Sequence, residues 1–175
     1  MRWGVLARRW RAGYASRVGD RIRALKLFER AYQCQQSGDY AGAIALYQAS
    51  LAEHPTPEAH TFLGWAYSFD GRYAEAIIAC KRAIALDPEF GNPYNDIGVY
   101  LVAQGRDDEA IPWLEEAQRA PRYDARHYPH ANLAGIYERR GDLLRAAAEF
   151  GRALEREAGY RPALEGLRRV QRRVN

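Results

Sequence analysis

From Ala24 onward the apolar residues recur at helical spacing, and the helical stretches themselves recur with a second, longer period. Gly38-Asp39-Tyr40, Gly71-Arg72-Tyr73, Gly105-Arg106-Asp107 and Gly141-Asp142-Leu143 stand 33, 34 and 36 residues apart, each between two amphipathic stretches. A glycine at such a point marks where a first helix (A) stops and the chain turns into a second (B), because a left-handed backbone is cheap only without a β-carbon. Five residues later comes Ala43, Ala76, Ala110 or Ala146, a small residue suited to close approach of two helix backbones. The buried stripe of helix B continues with Tyr47, Cys80, Leu114 and Phe150, then with Ser50, Ala83, Ala117 and Ala153. Helix A supplies Leu63, Ile97 and Leu133, with Tyr67, Leu101 and Tyr137 four residues on, and Gly64 and Gly98 leave room for helix B. The first unit departs from this pattern, with Arg30 and Ala31 in the places of Leu63 and Gly64.

The pattern predicts an all-α chain of nine or ten helices with repeat units at 24–56, 57–90, 91–126 and 127–160. Pro55 and Pro88 close helix B of the first two units, since proline lacks the N–H that would continue it. The third unit ends early at Pro121 and runs on through Arg122-Tyr123-Asp124-Ala125-Arg126, giving a loop about two residues longer than the others. Pro112, near the start of its helix B, predicts a slight kink. Residues 161–175 place Ala163, Leu164, Leu167, Val170 and Val174 on one face and arginines on the other, as a C-terminal capping helix would. Residues 1–23 form a basic amphipathic segment, with Trp3, Leu6, Trp10 and Tyr14 on one face. A cap over the first unit, a contact with a membrane surface or anionic partner, a targeting segment and a disordered extension are its readings.

The stretch Pro57 to Phe90 carries Leu63, Gly64, Tyr67, Gly71, Tyr73, Ala76, Ala83 and Pro88 in the order of the tetratricopeptide repeat signature, and the chain resembles that family over residues 24–160. The resemblance implies a right-handed α-solenoid of four repeats with N- and C-terminal capping helices. It also implies a protein-interaction scaffold or adaptor, with the A helices lining a concave groove that holds a peptide segment of a partner. Carried onto this chain, the groove residues it points to are Phe28, Tyr32, Gln35, Thr61, Trp65, Asn92, Asn95 and Asn132. Trp65 is the leading anchor. The family's carboxylate clamp of Lys, Asn and Arg is absent, since Phe28, Tyr32, Phe62, Asn92 and Asp96 fill its places. The repeat number and the stretched loop also resemble the bacterial pilus-biogenesis type, whose usual lipoprotein signal does not stand at the start of this sequence.

Charge narrows the partner. The formal net charge is +4, yet residues 27–160 carry thirteen basic against twenty acidic side chains, a net −7. A groove in so acidic a body favours a neutral or basic peptide. The basic ends support an alternative, nucleic-acid or anionic-membrane binding through the terminal helices, although a basic stripe along the body would be expected of a nucleic-acid binder. Cys34 and Cys80 fall at packed positions and read as free thiols. No apolar run approaches the ~20 residues that span a bilayer, which points to a cytoplasmic protein, a monomer or a weak dimer. Asp124, His127 and His130 recur every three residues but lack a fourth ligand, so they read as loop and packing residues and no metal is expected. No nucleophile elbow or phosphate-binding loop is present, so neither catalysis nor a cofactor or small-molecule substrate is expected. Asp107, Asp108 and Glu109 sit where acidic side chains complement a helix dipole.

Overall fold

The computed structural model describes residues 3–174, with side chains from Val18 onward. Its helices are α1 (Trp3–Gln36), α2 (Tyr40–Glu53), α3 (Pro57–Phe69), α4 (Tyr73–Leu86), α5 (Asn92–Ala103), α6 (Asp107–Arg119), α7 (His127–Arg139), α8 (Leu143–Arg156) and α9 (Arg161–Val174). Among the described residues no strand forms, and a single bridge joins Phe90 to Arg122. The fold is an all-α solenoid of four helix pairs closed by α9.

Each A-to-B turn is built the same way. Gly38, Gly71, Gly105 and Gly141 have φ between 73° and 82° and are the positive-φ residues of the described chain. In every case the next residue donates its N–H to the carbonyl five positions back at 2.9 Å, as from Asp39 to Cys34 and from Arg106 to Leu101, which satisfies an end carbonyl of helix A. Asp39 and Asp142 then cap helix B by accepting from the backbone of Gly42 and Arg145. Arg72 and Arg106 replace that cap with ion pairs to Glu75 and Glu109 in the first turn.

The small positions are fully buried: Ala43, Ala76, Ala110 and Ala146 have no exposed surface, nor do Tyr47, Cys80 and Leu114 farther along helix B. Ser50 stands in the first unit where the others have alanine, and its hydroxyl donates to the Ala24 carbonyl at 2.7 Å. Ala31 is likewise fully buried, whereas Arg30 faces solvent, which is how the first unit accommodates its departure from the pattern. Pro112 is the sixth residue of α6, exposed, where its missing N–H removes one helical hydrogen bond.

The backbones of successive A helices approach closely (α1 with α3, α3 with α5, α5 with α7, α7 with α9), whereas successive B helices reach one another through long side chains, as where Gln118 of α6 donates to Glu149 of α8 and Lys81 of α4 lies over the Trp113 ring of α6. The stack therefore curves toward its A side. α9 takes the place of a further A helix, packing on α7 and α8 through Ala163 and Val170, both without exposed surface. A β-carbon on Gly166 would lie 2.3 Å from the Phe150 ring, so this last contact also needs a glycine. At the other end α1 passes without a break from residue 23 into residue 24, so the basic segment and the first A helix are one rod. The face of Trp3, Leu6, Trp10 and Tyr14 lies outside the described side chains.

Two glycine substitutions separate the roles of turn and contact. Gly105→Ala has open space around the new methyl, so its cost is backbone strain alone, about 1–2 kcal/mol. Gly98→Ala sets a β-carbon 2.5 Å from two carbons of the buried Leu114 side chain and is expected to cost on the order of 1–3 kcal/mol through forced repacking. Urea unfolding of both variants checks this, and an unaffected Gly105→Ala would show that the left-handed turn is not required.

Candidate peptide-binding groove

The site begins with the long loop. Seven residues, 120–126, join α6 to α7, against three between α2 and α3. The extra length lets the loop fold back along the chain that enters α5: Arg122 N–H donates to Glu89 and Gly91 N–H to Arg122, both at 3.0 Å. The Arg122 guanidinium lies 4.0 Å over the Phe90 ring and bonds Glu58 at 2.8 Å and Asp87 at 2.7 Å. Gly91 is obligatory here, because a β-carbon would fall 2.3 Å from that of Tyr123. Arg126 closes the loop by donating to the carbonyls of Tyr123 and Ala120. Tyr123 is thereby turned inward and left 5% exposed.

Between this loop and helices α3, α5 and α7 lies a depression of about 390 Å³ on the A side. Thr61 and Trp65 enter it from α3, Asn92, Asn95, Asp96 and Val99 from α5, Tyr128 from α7, and Tyr123 and Ala125 from the loop. Trp65 and Tyr128 are the exposed aromatics of its rim, at 42% and 43%. Trp65 stands edge-on to Phe62 at 5.8 Å, which holds its ring in place without burying it. Asn132 donates to the Asn95 side-chain oxygen at 3.0 Å, linking α7 to α5. The Thr61 hydroxyl is committed to its own helix, donating to Pro57 at 2.8 Å.

A second depression, about 530 Å³, lies toward α1 and is lined by Leu25, Phe28, Tyr32 and Phe62 among others. The sequence-derived residues thus divide. Thr61, Trp65, Asn92 and Asn95 share one depression, Phe28 and Tyr32 line the other, and Asn132 joins the first through Asn95. Gln35 lines neither: it is 6% exposed and accepts from the Tyr47 hydroxyl at 2.9 Å, between α1 and α2. The histidines of the loop region also separate. His130 is buried and bonds Glu149 at 2.7 Å, whereas the His127 ring packs at a tilt against Tyr128 and Tyr160. Burial pushes the Glu149 carboxyl up, but the hydrogen bond from His130 and the charge of Arg152 hold it below the usual range.

Asp96 is the residue that sequence reasoning missed, having counted it only as the absence of a cation. It is half-buried in the depression, and no arginine, lysine or histidine pairs with it among the described residues. Burial pushes its carboxyl up to about 7, with only a hydrogen bond from Asn95 favouring the charged form. The signal was available: positions three and four residues to either side are Asn92, Pro93, Val99 and Tyr100, none of them basic.

Comparison with known proteins agrees with this architecture. Two family models, each described as a tetratricopeptide repeat, match residues 35–89 and 94–117. The chain carries tetratricopeptide repeats over these residues. It is 30% identical over 93 residues to the small glutamine-rich tetratricopeptide repeat-containing protein 2 of Mycosarcoma maydis, a match that takes in 53% of this chain and 26% of that protein. The chain thus spans about a quarter of the length of this curated relative.

Among solved structures, Pseudomonas aeruginosa PilF superimposes with a TM-score of 0.81 at 19% identity, over 89% of this chain and 70% of that one. PilW, described as a widely conserved type IV pilus biogenesis factor, gives 0.76 at 20% identity over 85% and 68%. YrrB, described as a repeat protein with an unusual peptide-binding site, gives 0.64 at 20% identity over 84% and 75%. At these identities the structural matches speak for the tetratricopeptide fold alone.

The unusual state of Asp96 within this repeat fold yields a pH-dependent prediction. In the unfolded chain the group titrates near 3.8 and in the folded chain near 7, so the folded state holds its proton longer. Wild type therefore loses stability as pH rises from about 4 to 7, and the loss persists above 7. Asp96→Asn is expected to match wild type in Tm near pH 4 and to exceed it near pH 8. Equal Tm values at both pH would show that the carboxylate is not desolvated.

Proposed function

We propose that this chain is a non-catalytic protein-interaction scaffold or adaptor that binds a neutral or basic peptide segment of a partner on the A side of its solenoid. The observation that carries the reading is the depression walled by Trp65, Tyr128 and the folded-back loop, where exposed aromatic surface meets paired amides and a carboxylate without a counter-ion. Aromatic rings bury apolar side chains at low entropic cost, and asparagine amides both donate to and accept from a peptide backbone. The net −7 of residues 27–160 repels an acidic segment. The interaction role common to tetratricopeptide proteins supports the reading, as does the printed description of YrrB as having a peptide-binding site.

Binding and positioning are then the whole mechanism, with no small-molecule substrate, cofactor or metal. Among the described residues no helix is long and apolar enough to cross a membrane, and we assign the chain to the cytoplasm as a monomer or weak dimer. The rival reading, nucleic-acid or anionic-membrane binding by the terminal helices, draws support from the exposed Arg168 and Arg172 of α9. Two other arginines of that helix are engaged internally, Arg169 bonding Glu138 at 2.6 and 2.7 Å and Arg173 approaching the same carboxylate. That leaves a thin basic surface on α9 for a polyanion.

Truncating Trp65 tests the reading. Because the ring is substantially exposed, Trp65→Ala is expected to keep the fold and Tm while weakening retained peptides by about thirtyfold or more, the effect of losing ~2 kcal/mol at an aromatic anchor. Peptides selected on the intact chain from a random display library supply the ligands, and calorimetry the affinities. Undiminished binding to a folded Trp65→Ala protein would remove this groove from consideration.

A further inference from the structure

We propose that Asp96 is the docking point for one lysine or arginine side chain of the bound peptide. The proposal rests on the groove reading above and adds to it a specific ligand group and a pH dependence.

The other carboxylates around the groove are already engaged. Glu58 and Asp87 share Arg122, Glu138 holds Arg169, and Glu149 is bonded to His130 and Arg152. Among the described residues, Asp96 lines the depression with a hydrogen bond from Asn95 but no basic side chain paired with it. Its position defines what would fill the vacancy. Trp65 and Tyr128 stand at the rim, where their faces attract a cation and also cover the apolar stem of a long side chain. Val99, 38% exposed, and Ala125 extend that apolar surface. A guanidinium or ammonium reaching Asp96 from this direction gains a charge-assisted hydrogen bond in a partly dry site. A peptide lacking such a group leaves the carboxylate desolvated and unpaired.

Release of a proton follows from the surroundings of Asp96. Cys80 from α4, Tyr100 on α5 and Tyr123 from the loop face it, and burial pushes all three up, leaving them protonated near neutrality. α3 and α7 contribute Trp65 and Tyr128, and the charged groups they carry nearby are occupied: Glu58 with Arg122, His130 with Glu149. No charged side chain of α3, α4, α6 or α7 shifts Asp96, whose carboxyl is set by burial and by Asn95. With its carboxyl pushed up to about 7 by burial, Asp96 retains a proton in part near neutrality, and a bound cation drives it off. Binding therefore strengthens with pH, by about tenfold between pH 6 and pH 8 for a site titrating near 7.

The experiment uses the full chain and a random-peptide display library panned at pH 8. Histidine-free peptides that are retained are then titrated calorimetrically at pH 6 and pH 8. The titrations use wild type, Asp96→Asn and Trp65→Ala, and include a form of each peptide with its basic residues changed to glutamine. Retained peptides are expected to share a lysine or arginine. Wild type should bind them about tenfold more tightly at pH 8 than at pH 6 and release protons at the lower pH. Asp96→Asn should bind about tenfold or more weakly at pH 8, lose the pH dependence, and not distinguish the glutamine form.

Peptides weakened by Trp65→Ala but indifferent to Asp96→Asn would overturn the cation site and leave the groove reading standing. Peptides indifferent to Trp65→Ala, or no retained peptide at all, would remove both. The Tm of Asp96→Asn at pH 8 verifies that a loss of binding is not a loss of fold.

Discussion

The closeness with which the two helices of a unit can approach governs this molecule. Ala43, Ala76, Ala110 and Ala146 are wholly buried where helix B meets helix A, and a β-carbon on Gly64 would lie 3.0 Å from the carbonyl oxygen of Ala76 and from the sulfur of Cys80, tighter than ordinary contact. Small residues at these points set the spacing within each pair, and the shared spacing lets the pairs stack. Closer backbone approach between successive A helices than between successive B helices then curves the stack. The groove is a consequence of that curvature. Its floor is the exposed side of helices whose other side is fixed by alanine and glycine.

The repeat was legible because its determinants are local and periodic. A glycine that must adopt positive φ, an alanine five residues on, and a bulky residue four beyond that are visible in any single unit and were repeated in all. The features that were not legible depend on contacts far apart in sequence. Gln35 was carried into the groove by its place in the unit, yet its amide oxygen serves Tyr47 of α2, a pairing no periodicity announces. The extra length of the loop before α7 was readable. Its return onto Glu89 and Gly91, which makes Tyr123 a wall of the site, was not. The join at residue 23 looked like a boundary because composition changes there, but a change of charge does not interrupt a helix.

Charge is arranged in two different ways on this scaffold. Most ion pairs, such as Arg106 with Glu109 and Arg139 with Asp107, are solvent-facing and contribute little to stability. Asp96 is the opposite case: an ionisable group taken partly out of water without a partner, which costs stability at neutral pH. Perturbed ionisation clusters in concave functional sites, where an external partner can relieve the desolvated group. The same depression offers aromatic rings to a side-chain stem and amides to a backbone, so its parts suit one kind of ligand.

The most direct measurement is the titration of the Asp96 carboxyl carbon by NMR, in the free chain and in complex with a lysine- or arginine-containing peptide. The account predicts a midpoint near 7 in the free protein and a drop of two or more units (roughly a hundredfold in proton affinity) when the cation is seated. A midpoint near 4 in the free chain, or one that peptide binding leaves unmoved, would contradict it.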